Sequence, residues 1–217
     1  MAALILGCGT AVTSGDWQKL ASSTGSAPHE IPATPSKNDV DPLLKGDDFD
    51  RIVVHGTDAD LAAVVLRLLR TDRLDDVPVG FVPTDRTRST VARLWELPED
   101  PVTLALTGGD RPLPLVRDDA GAVLMGLGVL TDVHGTVYCD DAVALRGSSA
   151  RVEVTPGPEG VEVRVSRGRL RRPAVFSGRA VQFGMDATEP VRDGIVYPRS
   201  VTRWTWYRHT EDLRAIR

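Results

Sequence analysis

The chain has 217 residues, 41% of them apolar, enough for one large globular domain or two small ones and too many for a disordered polymer. A net charge of -4 gives no general attraction to nucleic acid or to an anionic membrane, and two distant cysteines, Cys8 and Cys139, exclude a disulfide framework. No run approaches the roughly 20 apolar residues that span a bilayer; Ala2 to Leu6 is too short and lacks the basic flank of a signal peptide, so a cytoplasmic protein is expected, in peripheral contact with lipid at most.

Taken in order, Ala2 to Leu6 reads as a buried strand and Gly7-Cys8-Gly9-Thr10 as its loop. Backbone N–H groups of such a loop can cradle phosphate. The stretch has neither G-x-G-x-x-G nor a phosphate-loop lysine, and a strand end with a tight turn describes it as well. Ser22 to Leu44 carries four prolines among Ser, Thr and Asp and reads mainly as loop, with short helices expected at Asp16 to Ala21 and Asp39 to Lys45. Asp47-Asp48-Phe49-Asp50 is an acidic run that reads as a solvated edge, since a metal needs converging ligands.

Arg51 to Pro98 is the most ordered stretch. Ile52-Val53-Val54 enters a polar turn, His55-Gly56-Thr57-Asp58, after which Leu61, Val64, Val65, Leu68 and Leu69 recur at helical spacing. Val79-Gly80-Phe81-Val82 enters a second polar turn and a helix from Thr90 to Glu96. Two strand–loop–helix units in tandem predict a parallel sheet with helices packed on it. Ligands of such sheets bind where the strands' carboxyl ends meet the helix N-termini. A further helix, Pro101 to Thr107, ends in Gly108-Gly109.

Beyond Gly109 the pattern changes to short strands: Arg111 to Val116, Ala122 to Leu130, Thr136 to Tyr138, Ala142 to Leu145, Arg151 to Val154, Val161 to Val165, Val175 to Phe176, Arg179 to Gly184 and Ile195 to Trp206. Turn residues separate them at Asp118 to Gly121, His134-Gly135, Pro156 to Pro158, Arg167-Gly168 and Asp193-Gly194. The expected architecture is an α/β domain over 1-109, parallel and Rossmann-like, followed by a β-rich, sandwich-like domain over 110-217. Alternation puts Trp204 and Trp206 on one face of a strand, which suits either a core or the seam of a homodimer.

This order of elements, with a glycine-and-aspartate turn between strand and helix, resembles the diacylglycerol-kinase-like lipid kinases, which share their fold with NAD kinases. The family turn G-G-D-G-T, followed by L-N-E-V-V-N-x-L-L, lies ungapped over Gly56-Thr57-Asp58-Ala59-Asp60 and Leu61 to Leu69; Gly56, Asp58, Leu61, Val64, Val65, Leu68 and Leu69 match. The next family element, P-x-G-T-x-N-D-F-A closing in L-G-L-P, resembles Pro83 and Leu94-Trp95-Glu96-Leu97-Pro98, with Thr84 to Ala92 between them almost without identity. Leu104 to Val116 resembles the family's join to its β half, and Arg192-Asp193-Gly194-Ile195 its D-G-E turn.

The resemblance implies an ATP-dependent kinase acting on a lipid or another hydroxyl substrate, with Mg²⁺, and Asp58 as its metal-serving catalytic acid. It implies a nucleotide or anion site at Gly56, Thr57, Ala59 and Asp60, where phosphate needs close backbone approach. The residues themselves leave alternatives. Asp60 beside Asp58 adds negative charge where phosphates would go, and an aspartate there also suits a helix N-cap. Arg86 and Arg88 lie in the region where the family has its asparagine and aspartate; they could grip an anion bidentately, or sit on the surface balancing Asp75, Asp76 and Asp85. His55 is a proton carrier if exposed and otherwise a structural residue at a strand end. Asp140, Asp141 and Asp193 are general-base candidates by type and turn residues by position. The readings are therefore a divergent, catalytically inactive member binding a nucleotide or other phosphate-bearing ligand, a working kinase, or a protein binding some other anion through Arg86 and Arg88.

Overall fold

The computed structural model describes residues 2–23, 25–46, 49–166, 168 and 172–217. The chain divides into two compact units, Met1–Leu113 with Glu211–Arg217, and Pro114–Thr210. Relative to the boundary expected near Gly109, the division falls a few residues later, and the C-terminal segment groups with the first unit. The Asp47-Asp48 pair and Arg167, Arg169 and Arg171 lie outside the described residues.

The first unit runs β1 (Ala3–Cys8), α1 (Gly15–Ala21), β2 (Ser26–Ile31), α2 (Lys37–Leu44), β3 (Arg51–Gly56), α3 (Asp58–Arg70), β4 (Val79–Pro83), α4 (Thr90–Leu94) and α5 (Pro101–Thr107). Its strands are parallel in the order β2-β1-β3-β4. β1, β3 and β4 are buried at every residue, as strands covered on both faces must be. Ile5, Val53 and Val82 form one core cluster with Trp17 and Leu20 of α1 and Val102 and Ala105 of α5. Gly7 and Gly80 let those helices close in: a Cβ on Gly7 would lie 2.6 Å from the Trp17 ring, and one on Gly80 would lie 3.0 Å from Ala105.

The proline-rich stretch reads mainly as loop from its own residues, whereas the family order puts a strand and a helix in it, and both are present. Residues Ser26–Ile31 form β2, in register with β1 from Ala3↔Ser26 to Cys8↔Ile31. As the outermost strand of the parallel set it tolerates Pro28, which a central strand would not. α2 follows, tied to α3 by a bidentate pair in which Arg67 Nε and Nη2 donate to the Asp41 carboxylate at 2.7 and 2.8 Å.

The second unit is strand-rich, as expected. β5 (Asp110–Asp118) leads in, followed by β6 (Val123–Leu124), β7 (Gly128–Cys139), β8 (Ala142–Gly157), β9 (Gly160–Val165), β10 (Ala174–Gly178), β11 (Ala180–Thr188), β12 (Val191–Arg192), β13 (Ile195–Val196) and β14 (Val201–Ile216). The antiparallel order is β10-β9-β8-β7-β11-β14. Two expectations are corrected. His134-Gly135 is not a turn but the middle of β7, and the two strands expected within 142–154 are one continuous β8. Gly135 is required by proximity, because a Cβ there would stand 2.1 Å from the Gly184 carbonyl of β11. Trp204 and Trp206 are buried in the core of this unit with ring centroids 5.9 Å apart, so packing within the protomer accounts for the aromatic run.

Candidate functional site

β3 and β4 are paired in register as far as Gly56↔Pro83, and the Thr84 N–H donates to the Gly56 carbonyl at 2.9 Å. The two turns that leave these strands are therefore neighbours. They and the first turns of α3 and α4 carry Gly56, Thr57, Asp58, Ala59, Asp60, Arg86 and Arg88, whereas the general-base candidates Asp140, Asp141 and Asp193 lie in the second unit.

Thr57, not Asp60, caps α3. The Asp60 N–H donates to Thr57 Oγ1 at 3.3 Å, while the Thr57 N–H and hydroxyl donate to Asp60 Oδ2 at 2.7 and 2.8 Å. This reciprocal capping box satisfies two groups that a helix start leaves orphaned. Asp60 thus stands inside the first turn, as the box's acceptor. Its other oxygen, Oδ1, accepts the Thr34 N–H at 2.6 Å, and the side chain is only 2% exposed. Thr34 has a φ of 45°, so a strained residue is held in place by this bond. Burial pushes the nearby Cys8 thiol well up, and the Asp60 charge adds to the effect, so Cys8 is an inert thiol.

Gly56 belongs to the same arrangement. A Cβ at Gly56 would lie 2.7 Å from Asp60 Oδ2 and 2.9 Å from its Cβ. The room left by the missing side chain is filled by the protein's own carboxylate. Ala59 is buried beside it on α3.

Asp58 reaches across to the second turn. Its Oδ1 accepts the Ser89 hydroxyl at 2.5 Å, and its Oδ2 accepts the N–H groups of Thr90 and Val91 at 2.8 and 3.2 Å. Ser89 in turn caps α4, accepting the Ala92 N–H at 2.9 Å. Asp58 is therefore a clamp between the start of α3 and the start of α4. Mg²⁺, which the resemblance implies, would have to displace these donors to reach it. Among the described residues, no three His, Cys, Asp or Glu side chains are grouped to hold a metal ion. The residues present do not fit the ion.

The second turn is shaped by Asp85, whose Oδ1 accepts the Thr87 hydroxyl at 2.6 Å and the N–H groups of Thr87 and Arg88 at 3.0 and 3.3 Å. The Thr87 hydroxyl bond is the main cause holding the Asp85 carboxyl below the usual carboxylate range. Arg86 Nε and Nη2 donate to the Leu97 carbonyl at 3.1 and 2.8 Å. Arg86 and Arg88 line an open groove of about 550 Å³ that continues along α4 past Arg93 to Glu96 and Leu97. Arg93 and Glu96 escaped the sequence reading, because a charged residue on a short helix and another at its end carry no local pattern that marks a site.

Of its two readings, His55 takes the structural one: at 1% exposure it is a buried strut and not a proton carrier. Its Nδ1–H donates to the Val82 carbonyl at 2.7 Å, and its Nε2 accepts the hydroxyl of Ser14 at 2.6 Å. Of the general-base candidates in the second unit, Asp193 and Asp140 are likewise engaged, and Asp141 is exposed. Asp193 accepts three successive backbone N–H groups, from Met125, Gly126 and Leu127, at 2.7 to 2.9 Å. Asp140 accepts those of Arg179 and Ala180, both at 2.9 Å. No described helix is long and apolar enough to cross a membrane.

No family model matches the chain, and no curated protein does. Solved structures do. A diacylglycerol kinase from Bacillus anthracis strain Sterne superposes with a TM-score of 0.70 at 10% identity, over 99% of this chain and 96% of that one. An NAD kinase from Archaeoglobus fulgidus, solved in complex with ATP, superposes with a TM-score of 0.59 at 14% identity, over 100% of this chain and 94% of that one. At such identities the likeness shows the fold and nothing finer.

Proposed function

We propose that this chain, built on the fold of the diacylglycerol kinases and NAD kinases, binds a nucleotide or another phosphate-bearing ligand and does not transfer its phosphate. The observation that carries the reading is the closed hydrogen-bond network of the β3–α3 turn. Asp58 and Asp60 match or replace the family's metal-serving aspartate and terminal hydroxyl, yet every one of their oxygens accepts a bond from the protein itself. Phosphoryl transfer needs cations gathered around the transferring group. Here Gly56 opens onto the buried carboxylate of Asp60, which repels phosphate.

The test is ADP formation from Mg²⁺-ATP with detergent-dispersed diacylglycerol as acceptor. The expected rate equals that of the buffer blank. ADP release above the blank that Asp58→Asn abolishes overturns the proposal. It would establish the second reading, a working kinase, which draws its support from the ATP in the NAD kinase neighbour and from Gly56 and Asp58 in the matching turn.

A further inference from the structure

The groove along α4 deepens that reading by showing which chemistry is left over for a ligand. Three guanidiniums line it, from Arg86, Arg88 and Arg93, against one carboxylate, Glu96, in a chain whose net charge is -4. All four side chains are exposed. Among the described residues, neither Arg88 nor Arg93 has its guanidinium in an ion pair. Arg86 gives two of its donors to the Leu97 carbonyl, which fixes the side chain at the groove wall and leaves the remaining donors of a five-donor group.

Glu96 adds a second observation. α4 ends in a two-bond reverse turn, with the Leu97 N–H donating to the Ala92 carbonyl at 2.9 Å and the Glu96 N–H to the Arg93 carbonyl at 3.3 Å. The residue at the bend of such a turn is left-handed and is usually glycine. Glu96 holds that position with a φ of 53°. Glycine would relieve the backbone but would remove the one carboxylate that lines the groove.

We infer that the groove binds a phosphate monoester through arginine alone, without a metal ion, and that Glu96 reads a hydroxyl or amine next to the phosphate. A phosphate monoester carries close to two negative charges and three acceptor oxygens, which suits several guanidiniums better than a single carboxylate would. The donor beside it is selected by the carboxylate of Glu96. This inference rests on the proposed absence of phosphate transfer, but it fails separately, because its readouts are binding and metal dependence rather than turnover.

The experiment titrates glycerol phosphate and methyl phosphate into the wild-type protein by calorimetry, in EDTA and at fixed ionic strength. Glycerol phosphate is expected to bind in EDTA, more tightly than methyl phosphate. Arg88→Ala with Arg93→Ala should weaken it at least tenfold, with the fold intact by circular dichroism. Glu96→Gly should raise the melting temperature and erase the preference for glycerol phosphate. Phosphatidylcholine vesicles carrying phosphatidic acid form a second arm: sedimentation with them that the arginine pair abolishes assigns the phosphate to a lipid headgroup, and its absence assigns it to a soluble ester. Binding that appears only with Mg²⁺, binding indifferent to both arginines, or no binding in either arm overturns the inference.

Discussion

At the β3–α3 turn each carboxylate oxygen of Asp58 and Asp60 has a donor from the protein itself, whereas along α4 the exposed Arg88 and Arg93 guanidiniums make no close ion pair among the described residues, Arg88 feeling the Asp85 charge only at a distance. The first region has letters of a phosphate-binding turn and the bonding of a structural joint. The second has none of those letters and keeps its charge available. A buried carboxylate with three donors is stabilised where it is, so it no longer serves a ligand. Exposed arginines contribute little to the fold and keep that capacity. Resemblance in a loop therefore locates a site without assigning its chemistry.

The comparison can be broken by substitution, starting with Asp60. Asp60→Ala removes the acceptor of the Thr57 and Thr34 N–H groups, and urea unfolding should record a loss of about 3 kcal/mol. A stability change near zero would mean that Asp60 serves a ligand instead. Asp58→Ala comes next. It unclamps α4 from α3, with an expected loss of about 2 kcal/mol in the same experiment. At the groove the effect on the fold should be far smaller: the Arg88→Ala, Arg93→Ala double variant is expected within about 0.5 kcal/mol of wild type. A large loss there would make the arginines structural and erase the contrast.

The smallest effect concerns pH. The Asp85 carboxyl titrates below the usual range, chiefly through the Thr87 hydroxyl. A lowered folded-state value means that the loop's stabilisation is complete above the unfolded aspartate value of about 3.9 and is lost as pH falls through the lowered one. A carboxyl titration by NMR should show this, and Thr87→Val should move the midpoint back upward.

Much of this was legible in the chain. The strand–turn–helix units of residues 51–98 stood out because parallel strands buried on both faces are continuous apolar runs and α3 repeats at helical spacing. β2 is legible only from the family order and not from its own residues, because an edge strand with Pro28, His29 and Glu30 has no such run. The β7–β8 hairpin was cut short because Gly135 resembles a turn residue, while its actual constraint, the Gly184 carbonyl at 2.1 Å from a Cβ, comes from a strand far along the chain. An N-cap at Asp60 is what its place before Leu61 suggests, and it is displaced because Thr57, three residues earlier, takes the cap and makes Asp60 the box's acceptor. The Asp58–Ser89 bond links residues 31 apart, and no local pattern reports it.

The account depends most on whether the space beside Gly56 belongs to Asp60. A double-mutant cycle of Gly56→Ala with Asp60→Gly, followed by urea unfolding, measures this directly. If the account holds, Gly56→Ala costs several kcal/mol in the wild type and much less once the Asp60 side chain is gone, a coupling of about 1 kcal/mol or more. Additive losses, within about 0.5 kcal/mol, would contradict it.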